Sequence, residues 1–253
     1  MKHEASAEFP MERDAGLERA VLPSPPPAAA RIFGQRTTLA QQYAELLAGS
    51  GVVRGLLGPR ETPRLWERHI LNCAVITELI DSNQTVTDIG SGAGLPGLVI
   101  AIRRPDLTVT LVEPLLRRVN WLNEVIDVLQ LPNVSVMRGR AEAVWDEIPP
   151  ADVVTSRAVS ALENLAVWSV PLVRPGGLWL PMKGSTVGDE IEESRELLTA
   201  VGVTEIDVME CGRGVLDEPT TVARLVIGTP RRLKKSGRKK AGRHKSSRPQ
   251  RGS

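Results

Sequence analysis

Residues 85–113 read TVTDIGSGAGLPGLVIAIRRPDLTVTLVE. A β-branched run, Val86 to Ile89, breaks into glycines at 90, 92, 94 and 97. An apolar segment of helical length ends at Arg103, and a second β-branched run, Thr108 to Val112, closes on Glu113. Strand, glycine loop, helix and acid-ended strand make a unit that grips a nucleoside-bearing cofactor.

Working outward, Thr37 or Thr38 can cap a helix whose inner face carries Leu39, Tyr43, Leu46 and Leu47. Thr62-Pro63 is a good cap and first-turn pair for a helix over 63–81, with Leu65, His69, Cys73, Ile76 and Ile80 on one stripe. After Glu113, helices are expected over 115–130, 141–148, 160–173 and 187–200. Strands are expected over 134–137, 151–156, 178–182, 203–210 and 222–227. This α/β alternation implies right-handed crossovers and a seven-stranded, mostly parallel sheet with helices on both faces. The last two strands have no helix between them, so the final one should return antiparallel. Residues 1–35 read as disordered, ending in the proline-rich stretch at 23–30, and 36–82 as a short N-terminal helical extension.

Composition narrows the class. The hydrophobic fraction is 42% and the charged fraction 25%, as in soluble globular proteins. Cys73 and Cys211 sit in no CxxC pair, so neither a disulfide framework nor a zinc site is expected, and a reducing cytoplasm fits. No apolar run reaches the ~18 residues of a membrane helix. The formal charge of +2 hides an asymmetry, because residues 231–253 hold eleven Lys or Arg and no acid. Without those eleven, 21 basic residues face 30 acidic ones, a balance of −9 over residues 1–230. An acidic body with a basic tail points to a polyanion partner reached by that tail, which is expected to be disordered.

The glycines admit two registers. Gly92, Gly94 and Gly97 make GxGxxG with Glu113 placed for a nicotinamide ribose, a weak pattern taken alone. Asp88-x-Gly90-x-Gly92-x-Gly94 resembles motif I of class I S-adenosylmethionine-dependent methyltransferases, a Rossmann-like α/β fold. A cofactor without pyrophosphate does not need a helix N-terminus aimed at phosphate, and no basic residue stands in this loop. Glu113 then has two oxygens for two ribose hydroxyls.

Further segments sharpen the resemblance. Asp88 to Gly97 (DIGSGAGLPG), Glu67 to Leu71 (ERHIL), Arg117 to Val119, Ser156 to Ala158 and Met182 to Gly184 together resemble the bacterial small-subunit ribosomal RNA methyltransferase G family, also called GidB. The likeness covers about 61–228, which makes 83–230 a methyltransferase domain and leaves out the proline-rich start and the tail. Where that family carries Asn-Leu-Thr before the Arg-His helix, this chain reads Gly55-Leu56-Leu57-Gly58. The resemblance implies methylation of the N7 of one guanine in the decoding-region loop of 16S ribosomal RNA, free or in the 30S subunit. It implies S-adenosylmethionine as methyl donor, no metal, and a cytoplasmic protein, expected to be a monomer. Gly90 and Leu95 would line the cofactor with Asp88, Gly92, Gly94 and Glu113, Ala141 and Glu142 would flank its adenine, and Arg157 would lie near the reacting end.

The residues themselves exclude some chemistries. Thr155 to Val159 shows no Asn/Asp-Pro-Pro-aromatic run of an adenine-amino enzyme, and neither cysteine suits a C5-cytosine nucleophile. N7 or ribose chemistry remains. Arg140 and Lys183, in loops after strands, are candidates for phosphates or guanine O6. His69 joins them as a substrate candidate only through the Arg68-His69 resemblance, since a histidine on an apolar stripe is ordinarily core. The tryptophans at 66, 121, 145, 168 and 179 fall at core spacing. Two rival readings stand beside the enzyme: an RNA-binding assembly factor without turnover, and a nicotinamide oxidoreductase. If the tail docks on RNA, truncation after Pro230 flattens the log–log salt dependence of RNA binding by roughly 0.7–0.9 for each phosphate the tail had neutralised. An unchanged slope rejects that docking.

Overall fold

The sheet is built from short β-branched runs that alternate between two cores. The computed structural model describes residues 21–157, 160–184 and 186–233. Its strands are β1 (Thr85–Ile89), β2 (Thr108–Glu113), β3 (Val134–Arg138), β4 (Ala151–Arg157), β5 (Val173–Met182), β6 (Val203–Cys211) and β7 (Thr220–Ile227). They form one sheet in the order β3-β2-β1-β4-β5-β7-β6. The pairs from β3 to β5 are parallel, and β7 runs antiparallel to both β5 and β6. The chain winds outward from β1 to β3 and then crosses back to β4, so the order reverses between β1 and β4. Ligands of open α/β sheets bind beyond the carboxyl ends of the strands at such a reversal.

Side chains that alternate along each strand enter opposite cores. Val86, Val109, Leu111, Val153 and Leu180 face one; Ile89, Val112, Val154 and Trp179 face the other. The helices are α1 (Pro27–Phe33), α2 (Thr37–Leu46), α3 (Asn72–Val75), α4 (Gly97–Arg103), α5 (Leu116–Leu129), α6 (Leu162–Ser169) and α7 (Val187–Val201). Residues of α1 to α5 fill the first core, and those of α6 and α7 the second. The N-terminal helices therefore share a core with the sheet; no core boundary falls near residue 82.

Four expectations need correction, the first being the helix expected over 141–148, of which only the 3₁₀ turn Ala141–Ala143 forms. Residues 27–33, expected to be disordered, are helical: Pro27 starts α1, Ala29 and Phe33 are buried, and the Trp66 indole donates to Pro23 O at 3.1 Å. Residues 1–20 and 234–253, where disorder was also expected, lie outside the described residues. The single helix expected over 63–81 is instead a 3₁₀ turn (Pro59–Arg64), a π segment (Leu65–Leu71), α3 and a second 3₁₀ turn (Ile76–Leu79). In the π segment the buried residues pair five apart, Leu65 with Ile70 and Trp66 with Leu71, as i→i+5 winding requires. The fifth strand begins at Val173 rather than 178, because Pro175 to Gly177 form an irregular stretch within it, with a register shift against β4.

The last described residues are pinned. Arg231 N donates to Val201 O at 2.9 Å. Arg232 reaches both oxygens of Asp146 at 3.0 and 2.7 Å, and its guanidinium lies 5.3 Å from the Trp145 ring centroid. Val201 ends α7 just before β6 begins, so this clamp sits at the amino ends of the parallel strands.

Close packing of α4 on β2 depends on residue 97. A Cβ there would collide with the Leu111 side chain and lie 2.8 Å from Asp88 Oδ2. Gly97→Ala is expected to cost ~1–3 kcal/mol in urea unfolding, the range for overpacking. An unchanged midpoint would show that the neighbouring side chains yield freely.

Candidate cofactor and methyl-transfer site

The glycine loop follows β1 at the carboxyl edge of the sheet, beside the β1/β4 reversal. Gly90, Gly92 and Gly94 have φ of +71°, +56° and +105°, conformations that side-chain-bearing residues rarely adopt. The loop folds back on β2: Gly90 N and Ser91 N both donate to Val112 O, at 2.9 and 3.2 Å. Glu113, 1% exposed, continues the attachment. Its Oε2 accepts from Gly92 N at 3.0 Å and its Oε1 from Leu115 N at 2.9 Å, with Arg118 Nη1 3.6 Å from Oε2.

Asp88 lies beneath the same loop and is fully buried. Its Oδ2 accepts from Gly97 N at 3.1 Å, while Oδ1 is a buried oxygen without a partner. Burial pushes its carboxyl up to about 7, against the Gly97 N–H and the Ser91 hydroxyl, which favour the charged form. Native proteins rarely leave such an acceptor unmet. Two buried acids under the loop oppose a phosphate and suit a ligand that brings positive charge or N–H and O–H donors. The lining therefore fits a sulfonium nucleoside.

The carbonyl of Ala93, between the two left-handed glycines, accepts two buried bonds. Tyr43 Oη donates from α2 at 3.0 Å and Trp121 Nε1 from α5 at 2.9 Å. Sequence reasoning gave both residues to the core. The available signal was polar: the chain has one tyrosine, and a buried phenol or indole N–H needs an acceptor.

Arg157, at the carboxyl end of β4, turns its guanidinium into the π segment. Nη2 donates to Arg68 O at 2.8 Å and to His69 Nδ1 at 2.8 Å, and Nη1 reaches Cys73 Sγ at 3.1 Å. Since Nδ1 accepts from a cation, the His69 proton sits on Nε2, which faces Glu61 Oε2 at 2.8 Å. Burial pushes the His69 imidazole below its usual pKa, in keeping with this neutral form. Both ring nitrogens are thus engaged within the protein. Lys183 is engaged too, with Glu190 Oε2 at 2.7 Å and Ser160 O at 3.1 Å. Arg140 is exposed and precedes the 3₁₀ turn Ala141–Ala143, where Ala141 is buried and Glu142 exposed. The bond from Gly139 N to Glu113 O, 3.2 Å, places that turn beside Glu113, and Leu95 is half-buried in the loop. So Asp88, the glycines, Leu95, Glu113 and residues 140–142 converge, while Arg157 ends β4 and is held by His69, and Lys183 follows β5 and is held by Ser160 and Glu190. Among the described residues, no group of three His, Cys, Asp or Glu could hold a metal, and no helix is long and apolar enough to cross a membrane.

A seven-stranded sheet with one antiparallel strand, a glycine loop after β1 and an acid ending β2 define a class I methyltransferase fold. The family model for the rRNA small subunit methyltransferase G, GidB, matches residues 36–219. The chain belongs to this family. It is 52% identical over 229 residues to the ribosomal RNA small subunit methyltransferase G of Mycolicibacterium gilvum, covering 88% of this chain and 99% of that one. With the protein of the same name from Thermobifida fusca it shares 51% over 230 residues, covering 88% and 97%. Among solved structures, an O-methyltransferase from Thermotoga maritima aligns at a TM-score of 0.49 and 13% identity, covering 63% of this chain and 66% of that one.

Asp88 sets a pH signature. Its folded pKa of about 7 stands above the ordinary value of 3.8, so the folded state holds a proton that the unfolded state has released between those values. This contribution is fully present below about 4 and is lost as pH rises through about 7. Unfolding free energy without ligand should therefore decline over that window, and Asp88→Asn should flatten the decline. Parallel wild-type and Asn profiles would show that Asp88 ionises normally.

Proposed function

We propose that this chain transfers a methyl group from S-adenosylmethionine to the N7 of one guanine in the decoding-region loop of bacterial 16S ribosomal RNA, acting in the cytoplasm as a monomer. The observation that supports the donor assignment is the glycine loop after β1, with positive φ at Gly90, Gly92 and Gly94 and tied through Gly92 N to the acid that ends β2. Family membership supports the acceptor class. When bound, the cofactor supplies an electrophilic methyl on a sulfonium sulfur.

The protein's own task is placement. Asp88, braced by Gly97 N, forms the buried floor of the cofactor loop. Each Glu113 oxygen accepts one internal amide and keeps a lone pair for a ribose hydroxyl. Gly90, Gly92, Gly94 and Leu95 let the ligand approach the backbone, and Ala141 and Glu142 flank its adenine. Guanine N7 carries no proton and presents an in-plane lone pair, so attack needs alignment and no general base. Arg157, held by its π-segment contacts, borders the reacting end of the cofactor, and Arg140, Lys183 and His69 belong to the RNA side, where exposed Arg140 can meet phosphate or guanine O6.

Two measurements test this. N7-methylguanine mapped in 16S RNA should be present in cells with the protein and missing at one position in cells without it; identical maps reject the acceptor. Calorimetry should show S-adenosylmethionine binding, abolished by Asp88→Ala and by Gly92→Val with the fold intact. Retained binding in both variants rejects the placement of the site. A wild-type protein that binds RNA but not the donor favours the assembly-factor reading.

A further inference from the structure

We propose that Tyr43 and Trp121 are positioning residues for the cofactor loop, so that the N-terminal helical layer is part of the methyl-transfer machinery. This rests on the methyl-donor reading above. Ala93 stands between Gly92 and Gly94, at φ of +56° and +105°, and neither flanking residue has a Cβ to limit rotation of the peptide planes. The peptide plane that carries the Ala93 carbonyl is held at one edge by Gly94 N, which donates to Ser91 O at 2.7 Å, and at the other by the pair of donors that occupy the carbonyl's two lone pairs, at 3.0 and 2.9 Å. Both donors are deeply buried, with Tyr43 0% and Trp121 1% exposed, so water does not compete.

The two come from different parts of the chain. Tyr43 belongs to α2, which precedes the sheet in sequence, and its hydroxyl would lie 3.0 Å from a Cβ on Gly94. Trp121 belongs to α5, and Arg54, itself paired with Glu124, caps its ring 5.5 Å from the centroid. The same N-terminal layer grips the other side of the site, where the carbonyl of Arg68 and the ring of His69 hold Arg157. The N-terminal layer thus supplies one of the two donors to the glycine loop and the contacts that hold Arg157. Removing either donor to Ala93 leaves its carbonyl one bond, and the loop spends more time in other orientations. The affinity of a ligand that needs one orientation falls in proportion to the population of that orientation.

Tyr43→Phe keeps the ring and removes only the hydroxyl. The dissociation constant and KM for S-adenosylmethionine are expected to rise about 2–12-fold, the worth of one buried hydrogen bond. KM for RNA and kcat at saturating donor should stay at wild-type values. Tyr43→Phe combined with Trp121→Phe should raise the donor KM further. A contact that only holds the fold would lower the melting midpoint and leave the donor KM unchanged, and that result overturns the proposal. A parallel rise in RNA KM overturns it too. If the wild type binds no S-adenosylmethionine at all, the donor reading fails first, so the two failures are distinguishable. Should Tyr43→Phe not fold, Trp121→Phe gives the same comparison.

Discussion

Burying a carboxylate is costly unless donors meet it, and here two lie side by side at neighbouring strand ends. Glu113 is met by the glycine loop itself: the Gly92 amide that satisfies its oxygen is also the amide that defines the turn. Loop shape and charge satisfaction are one event. Asp88 is met only in part, by Gly97 at the start of α4. That poorer supply of donors, together with full burial, is what lifts its pKa to about 7.

Everything around the loop limits its freedom. Glycine conformations that admit a ligand to the backbone would also let the loop move, and three layers oppose that. From β2, Val112 O fixes its first two amides. Beneath it, Leu98 and Leu111 press on the positions of Gly94 and Gly97. From above, Tyr43 and Trp121 seize its central carbonyl. These surroundings add to the loop's own turn, in which Ser91 O accepts from Gly94 N and Leu95 N.

This division explains what could be read from the chain. Strand positions, their alternation and the antiparallel β7 follow from local runs such as Val109 to Val112 and from the missing helix before Thr220, so they were legible. The acid–glycine spacing from Asp88 to Gly94 and the position of Glu113 were legible for the same reason, since each is a short-range pattern. The π segment was not, because Leu65, Trp66, Ile70 and Leu71 mimic an ordinary apolar stripe until packing selects the five-residue pairing. Nor were the inward turns of Arg157, His69 and Lys183, or the bonds to Ala93. These contacts span 84 to 89 residues between Arg157 and the π segment region, and 50 between Tyr43 and Ala93, and no local spacing encodes them.

The Arg232 clamp has a mechanical consequence. It holds the start of the basic stretch at the amino ends of the strands, whereas the glycine loop opens at their carboxyl ends. The clamp and the cofactor loop are thus separated by the full length of the parallel strands, so whatever Arg231 and Arg232 brace leaves the carboxyl-edge cleft clear.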